Sequence, residues 1–591
     1  MKFFKVFLAA LLAVAVAGII KFLFWFMTLA GLMSSMETGI KIDDDSVLTL
    51  DFAEIIADAP SNDPLAGIDL LNLSATKRVS LYDALRALDA AAADQRIKGI
   101  YIHPAKDGGP EEWTVAEELR EALVAFRQSG KFVVAYDDAY SQAEYYLASA
   151  ADSIYIQPMG SISWQGMAFT SMFYKGLFDK LGIEAEIFRP TVCKYKSAVE
   201  PYFLDKMSDA NRRQMQELAD AMWSVIGGDV AEARGMSFER LNQLTDRLAL
   251  CESEDAVKNG FADAMMYEDE VEDRISELVG TDDWNEVTFG DYVSQLGPGT
   301  VKLSTPRVAV LYAEGAIYDG SGTSARGSED IYGNTLAARI AALRDDDKVK
   351  AVVLRVNSPG GSALASDVIW REMVRLREVK PVVVSMGQYA ASGGYYISAP
   401  ADVIVTDRLT LTGSIGVYGM MFDASAALRN KLGITFDSVK TNESADMDGM
   451  AHKLTAQERA FMMRGVDKVY GRFTSLVAEG RNLPLERVLE IAEGRVWAGT
   501  TAGRIGLADT CGGLKTAIAV AAEKAGLDEF RVVEPMAEQT GLAAMLSSMK
   551  VNIRERIMRS ESPEAYELLQ RIRTAMSQNG VVMYSEVRLE K

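Results

Sequence analysis

Ser392 lies in the run Tyr389-Ala390-Ala391-Ser392-Gly393-Gly394-Tyr395-Tyr396, a turn of small residues able to present its hydroxyl at a helix start. Serine is a poor nucleophile until a neighbouring base takes its proton. Histidine, the usual base, is scarce here. His103 precedes Pro104 at a strand end, His452 sits beside a polar helix start, and neither belongs to a recognisable motif. Lysine is then the leading candidate, and Lys196 in Lys194-Tyr195-Lys196-Ser197-Ala198-Val199-Glu200-Pro201 stands out. At its usual pKa of about 10.4 a lysine is protonated and accepts nothing. Burial in an apolar site lowers that value by several units and makes a general base of it. Lys194 reads as an ordinary solvated lysine. Ser414, in Thr412-Gly413-Ser414-Ile415-Gly416, is the candidate hydroxyl to donate to the neutral amine and orient it. Asn357-Ser358-Pro359-Gly360-Gly361 follows a strand and could aim N–H groups at a developing oxyanion, a contribution of about 10²-fold to 10³-fold in acyl transfer. Gly393-Gly394 allows close approach of a substrate chain. Taken alone, Ser-Gly-Gly reads equally well as a packed glycine turn.

These residues are distributed over two similar halves. Tyr140-Ser141-Gln142-Ala143-Glu144-Tyr145-Tyr146 runs in register with the Ser392 segment, so that Gln142 stands where Ser392 stands. Asp152 matches Asp402, Gly160-Ser161-Ile162 matches Gly413-Ser414-Ile415, and Gly108-Gly109 matches Gly360-Gly361. Lys180-Leu181-Gly182-Ile183 likewise matches Lys431-Leu432-Gly433-Ile434. The spacing of about 250 residues is too long for a solenoid repeat and suits two fused copies of one domain. The stretch matching Lys196, around Asp446 and Met447, has no lysine. Each copy therefore carries one half of a Ser/Lys pair.

The elements that must hold these groups follow a strand–helix alternation. Residues 47–52, 99–102 and 132–136 read as strands, with helical periodicity over 81–91 and 114–128. The second half repeats this with strands at 308–312, 351–355 and 382–385 and helices at 334–343 and 363–378. Alternation of this kind predicts an α/β fold with mainly parallel pairing. Turn residues at 296–306 mark a linker between copies at 46–295 and 306–535. Beyond residue 536 the repeat stops, and the tail to Lys591 has a mixed-charge helical character.

At 591 residues the chain is too long for one core. Its net charge of −21 argues against nucleic acid as a partner. Three widely spaced cysteines imply neither a disulfide framework nor a zinc site, and no cofactor or metal is expected. The N-terminus, Met1-Lys2-Phe3-Phe4-Lys5, opens an apolar stretch from Val6 to Met33 interrupted by Lys21 and Thr28. Val6 to Ile20 would make about 22 Å of helix, short of a hydrocarbon layer of roughly 30 Å. The span is completed by Phe22 to Trp25 if Lys21 snorkels. Residues 1–40 then form a cytoplasmic stub and anchor, with everything after about residue 40 outside. The alternative is a signal peptide cleaved near Ala15-Val16-Ala17.

The motifs around Ser392, Ser414, Asn357 to Gly361 and Tyr195 to Pro201 resemble the long, duplicated form of the bacterial signal peptide peptidase family, the SppA or protease IV type. The resemblance covers about residues 45–535. It implies two tandem domains of a Clp protease/crotonase-like fold after an N-terminal transmembrane helix. It also implies a Ser/Lys serine endopeptidase: Ser392 as nucleophile, Lys196 as base, Ser414 orienting the lysine, and the N–H groups of Gly361 and Gly393 as oxyanion donors. The expected substrates are signal peptides and other apolar peptides at the outer face of the cytoplasmic membrane. The expected assembly is a homotetramer beside the lipid bilayer. Two other classes fit parts of the pattern: a crotonase-like acyl-CoA enzyme, which has no use for Lys196, and an inactive peptide-binding membrane scaffold.

Overall fold

The computed structural model describes residues 42–51, 55–60, 68–69, 74–75, 78–103, 112–296, 304–322, 330–447, 452–535 and 581–584, together with Lys21. Apart from Lys21, the expected anchor at residues 1–40 lies outside the described residues, as do Gly108, Gly109 and most of the tail. Among the described residues no helix is long and apolar enough to cross a membrane.

In the first half, strands β1 (Ser46–Asp51), β2 (Ile97–His103), β3 (Phe132–Tyr140) and β4 (Ser153–Ile162) alternate with helices α1 (Leu81–Ala93), α2 (Trp113–Arg127) and α3 (Gln142–Ala148). Helix α1 shows why these residues take these forms. Ser80 Oγ accepts the Asp83 N–H and caps the helix, while Leu81, Ala84, Leu85 and Leu88 recur at helical spacing and are buried. The strands form a six-stranded parallel sheet in the order Ala264–Met265, β4, β3, β2, β1, Asn285–Thr288. This half also contributes α4 (Lys175–Leu181), β5 (Glu184–Phe188) and α5 (Asp209–Ala233).

The second half repeats the plan with β6 (Arg307–Glu314), β7 (Val349–Ser358), β8 (Gly360–Ser362), β9 (Val382–Ala391) and β10 (Leu411–Gly413), and with α6 (Gly333–Asp345), α7 (Ala363–Arg377) and α8 (Gly393–Ser398). Its main sheet runs Val496–Ala498, β10, β9, β7, β6, Arg531–Val533, parallel except where Val496–Ala498 meets β10. Apart from Lys350, every residue of β7 is buried, as a central parallel strand covered by helices on both faces requires. The expected α/β architecture is thus present, and the four expected helices are found with their ends moved by one or two residues.

The duplication extends to individual hydrogen bonds. Asp152 Oδ2 accepts the Val133 N–H at 2.9 Å and Asp402 Oδ2 the Val382 N–H at 2.9 Å. Asp263 and Asp509 do the same for Ile154 and Ile404, each at 2.7 Å. The Tyr145 hydroxyl donates to Phe261 O, and its counterpart Tyr395 donates to Leu507 O.

A third sheet joins the halves. Its order is Ile331–Tyr332, Ile317–Tyr318, β8, β12 (Val581–Tyr584), β11 (Tyr418–Asp423), β5. First-half strand β5 pairs antiparallel with β11, Ile187 opposite Met420. Strand β12 departs from the helical reading of the tail. Val581-Val582-Met583-Tyr584 is rich in β-forming residues and lies between two strand edges that complete its ladder.

Buried charge also holds the halves together. Arg355 of β7 is fully buried and meets Asp58 at 2.8 Å, Glu118 of α2 at 2.9 Å and Asp407 at 3.5 Å. Burial acts to lower the guanidinium pKa, but the carboxylates outweigh it and hold it well above the usual value. One cation cannot balance three buried anions, and burial raises the Glu118 and Asp407 carboxyls. Replacing Arg355 with alanine leaves these carboxylates without a counter-ion. We expect Arg355→Ala to lose about 3–5 kcal/mol of stability in urea unfolding; an unchanged midpoint would show that the cluster does not hold the halves.

Candidate active site

Strand β9 ends at Ala391, and Ser392 stands at the N-cap of α8 with φ 56°. A positive φ at a non-glycine residue is strained and persists only where the surroundings impose it. Here the Ser392 N–H donates to Gly413 O at 2.8 Å, tying the turn to β10. Ser414, at the end of that strand, also has a positive φ, 50°. The two hydroxyls are thereby brought to one point from adjacent strand ends.

Lys196 arrives from the other half. It caps the short turn Ser197–Val199 that leads into Glu200–Phe203, and its side chain is buried. Its Nζ lies 2.6 Å from Ser392 Oγ, 2.9 Å from Ser414 Oγ and 3.1 Å from Ser414 O. Burial lowers the amine pKa to about 7, opposed only weakly by Cys193. At neutral pH a large fraction of such an amine is uncharged, with one lone pair and two N–H donors. If the lone pair takes the Ser392 proton, the N–H groups serve Ser414 O and Ser414 Oγ. Ser414 then accepts from the amine and sends its own proton toward Gly494 O, 3.5 Å away. Its part in the geometry differs from the expected donation to the lysine, because one lone pair cannot receive two hydroxyl protons.

Several supports were given no role by the sequence. Arg189 donates to Lys196 O at 2.7 Å. Buried Glu200 accepts the Ser208 hydroxyl at 2.6 Å, the Ser208 N–H at 3.0 Å and the Asn211 amide at 3.1 Å, pinning the lysine turn to the start of α5. Gly494, at φ 77°, packs on the lysine itself: a Cβ there would lie 2.5 Å from Lys196 Cβ. Position 494 is far from both motifs in sequence, so only the fold reveals its role. Lys194 is exposed, as expected of a solvated lysine, and pairs with Glu493 at 2.8 Å.

The backbone nitrogens of Gly361 and Gly393 lie close together. A Cβ on Gly393 would lie 3.1 Å from Gly361 N, and one on Gly360 would lie 2.6 Å from Gly393 N. Gly361 itself sits in β8, opposite Ile317 on one side and Met583 on the other.

In the first half the matching position is closed. Gln142 Oε1 accepts the N–H groups of Gln165 and Gly166 at 3.1 and 3.0 Å, while Nε2 donates to Gly166 O at 3.2 Å. Asp446, at the position matching Lys196, instead takes Lys440 at 2.9 Å and His452 at 3.0 Å on the surface. His103 lies against Glu268 at 2.5 Å. Both histidines are thus committed elsewhere, and Ser392 has the lysine as its partner.

A serine hydroxyl held against a buried, low-pKa lysine on an α/β scaffold is the arrangement of a serine hydrolase. The Peptidase family S49 model matches residues 125–282 and 375–528, and the Clp protease model matches residues 323–412. The chain is 34% identical over 577 residues to Protease 4 of Salmonella typhi, covering 93% of this chain and 90% of that protein. It is 35% identical over 454 residues to Protease 4 of Haemophilus influenzae, covering 75% and 72%. With the chloroplastic serine protease SPPA of Arabidopsis thaliana it shares 33% over 469 residues, covering 78% and 68%. The protein belongs to Peptidase family S49, with two copies of the family domain in one chain. Its fold is α/β of the Clp protease kind, and it is a serine peptidase.

Gly494→Ala tests the packing behind the lysine. Moving Lys196 by even 1 Å should cost roughly 10²-fold in reaction of Ser392 with a fluorophosphonate, with circular dichroism unchanged. A variant that labels at the normal rate would show that Gly494 does not position the amine.

Proposed function

We propose that the protein is a membrane-anchored serine endopeptidase using a Ser392/Lys196 dyad to degrade cleaved signal peptides at the outer face of the cytoplasmic membrane. The 2.6 Å approach of a buried amine from one half to a strained serine of the other carries this reading. In the reaction, Lys196 Nζ takes the Ser392 proton as Oγ attacks the scissile carbonyl. The N–H groups of Gly361 and Gly393 stabilise the oxyanion, and the lysine then protonates the leaving amine. Water, activated by the same amine, hydrolyses the acyl-enzyme. Ser414 holds Nζ on line. The copies at 46–295 and 306–535 contribute one reacting group each, so neither is active alone, and Gln142 is catalytically silent.

The anchor is residues 1–40, single-pass, with the catalytic domains extracytoplasmic and beside the bilayer. The chain works as a homotetramer. Support for self-association comes from α4 and α9 (Ser425–Leu432), matching helices of the two halves that lie side by side with Leu177, Leu181, Leu432 and Ile434 exposed. An apolar surface of this kind is ordinarily covered by a partner, here a second copy.

Ser392→Ala and Lys196→Ala should each abolish hydrolysis of a fluorogenic apolar peptide while assembly is retained; full activity of the lysine variant would remove the dyad. With the amine pKa near 7, the protonated form prevails at lower pH and kcat/KM should fall about tenfold per pH unit below that value. A flat profile between pH 5 and 8 would place the base elsewhere. The double change Leu177→Asp, Leu432→Asp should convert the assembled species to monomer in light scattering, and an unchanged mass would exclude this surface as the interface.

A further inference from the structure

The run from Glu493 to Val496 grips the lysine turn and the serine turn at once. On the lysine side, Glu493 O accepts the Tyr195 N–H at 3.1 Å, and Gly494 packs on Lys196. On the serine side, Arg495 O accepts the Ser414 N–H at 2.7 Å and the Gly494 N–H donates to Ile415 O at 2.8 Å. Val496 pairs with Gly413 of β10. These are main-chain contacts, which most substitutions leave in place. The Arg495 side chain adds a contact that a substitution removes. Its guanidinium lies over the Tyr195 ring, 4.9 Å from the centroid, and over the Trp497 ring, at 4.0 Å. Tyr195 directly precedes Lys196 and is buried. Trp497 belongs to the serine-bearing half, opposite Thr412 of β10, and its indole N–H donates to Ile491 O at 2.9 Å. The guanidinium also pairs with Glu217 of α5. Its Nε is buried and has no hydrogen-bond acceptor among the described residues, so ring contact holds that edge. A planar cation lying over two rings is fixed in orientation as well as in position.

We propose that Arg495 is a positioning residue for the base: by stacking on Tyr195 and Trp497 it locks the lysine turn to the serine-bearing half and keeps Lys196 out of water. The proposal rests on the Ser392/Lys196 reading. Arg495 acts through Tyr195, since Nζ itself is bonded to Ser392 and Ser414. Burial is the chief cause of the lowered amine pKa, so a turn that opens harms the base in two ways. Water reaching Nζ stabilises the ammonium form and raises its pKa toward the usual value. A looser turn also carries Nζ away from Ser392 Oγ. A lysine at position 495 would keep the charge beside Glu217 but has no planar face to lay on the rings.

The pH profile of kcat/KM for a fluorogenic apolar peptide tests this in the full chain, with kcat and KM also read separately. In the unaltered enzyme the acid limb should follow the amine near pH 7. Arg495→Ala should move that limb to higher pH, costing about tenfold at pH 7 for each unit moved, and should lower kcat while KM holds. Arg495→Lys should behave as Arg495→Ala does. Tyr195→Leu should reproduce the shift, and Tyr195→Phe, which returns a ring to the guanidinium, should reverse it. The combined Tyr195→Leu, Arg495→Ala chain should be no worse than either single variant, because both remove one contact. The two tyrosine variants carry the same test if the arginine variants fail to fold. An unmoved limb in Arg495→Ala or Tyr195→Leu, a normal profile in Arg495→Lys, or a loss confined to KM overturns the inference. The dyad fails separately, through full activity of Lys196→Ala or a flat profile in the unaltered enzyme.

Discussion

The amine of Lys196 is the constraint around which the structure is arranged. Taking a lysine out of water disfavours its charged form, and among the described residues no carboxylate offsets that cost. The groups around Nζ are two serine hydroxyls and a carbonyl oxygen. Such a set solvates a neutral amine and does little for an ammonium ion. Cys193, whose charge would act on the amine, is itself pushed up to about 11, chiefly by burial, so it is uncharged at neutral pH. The amine pKa is thus lowered by burial with no salt bridge at Nζ among the described residues.

Keeping that amine dry requires both halves. The lysine comes from the turn before α5, the hydroxyls come from the ends of β9 and β10, and the floor beneath the lysine is Gly494. The halves must then be registered to within tenths of an ångström. The Arg355 cluster and the β5–β11 pairing supply contacts that cross between them close to the site. Asn357, three residues before the Gly360-Gly361 pair, donates to Glu112 of the first half at 2.7 Å. Strand β7, which carries Arg355 and Asn357 at the interface, leads directly into Gly360-Gly361, so the geometry of one is coupled to the other.

The duplication explains how a shared site could arise with little structural change. Both halves keep the Asp152/Asp402, Asp263/Asp509 and Tyr145/Tyr395 hydrogen bonds that hold strand ends to the sheet. They differ where chemistry is concerned. Gln142, at the position of Ser392, folds its amide onto Gly166, accepting from its N–H and donating to its carbonyl.

Much of this was legible in the residues. Strand–helix alternation, the repeat, the shortage of histidine, and the serine and lysine motifs are local patterns, and local patterns determine element type and candidate chemistry. What they cannot carry is distance between residues 196 positions apart in the chain. Gly494 and Arg189 left no signal, and Glu200, though inside the lysine motif, was given no role, because a glycine that makes room or a carboxylate that pins a turn is recognised only by what lies against it. The direction of the Ser414 hydrogen bond depended on counting lone pairs in an assembled site. The tail was read as helical from its charge pattern, yet Val581–Tyr584 is a strand because two edges await it. By itself the sequence determined which groups could react, since that follows from residue type and spacing. Tertiary structure alone decided that they meet, that burial lowers the lysine pKa where they do, and that Val581–Tyr584 forms a strand between β8 and β11. Burial and backbone pairing belong to the folded surface and to no segment of the chain taken alone.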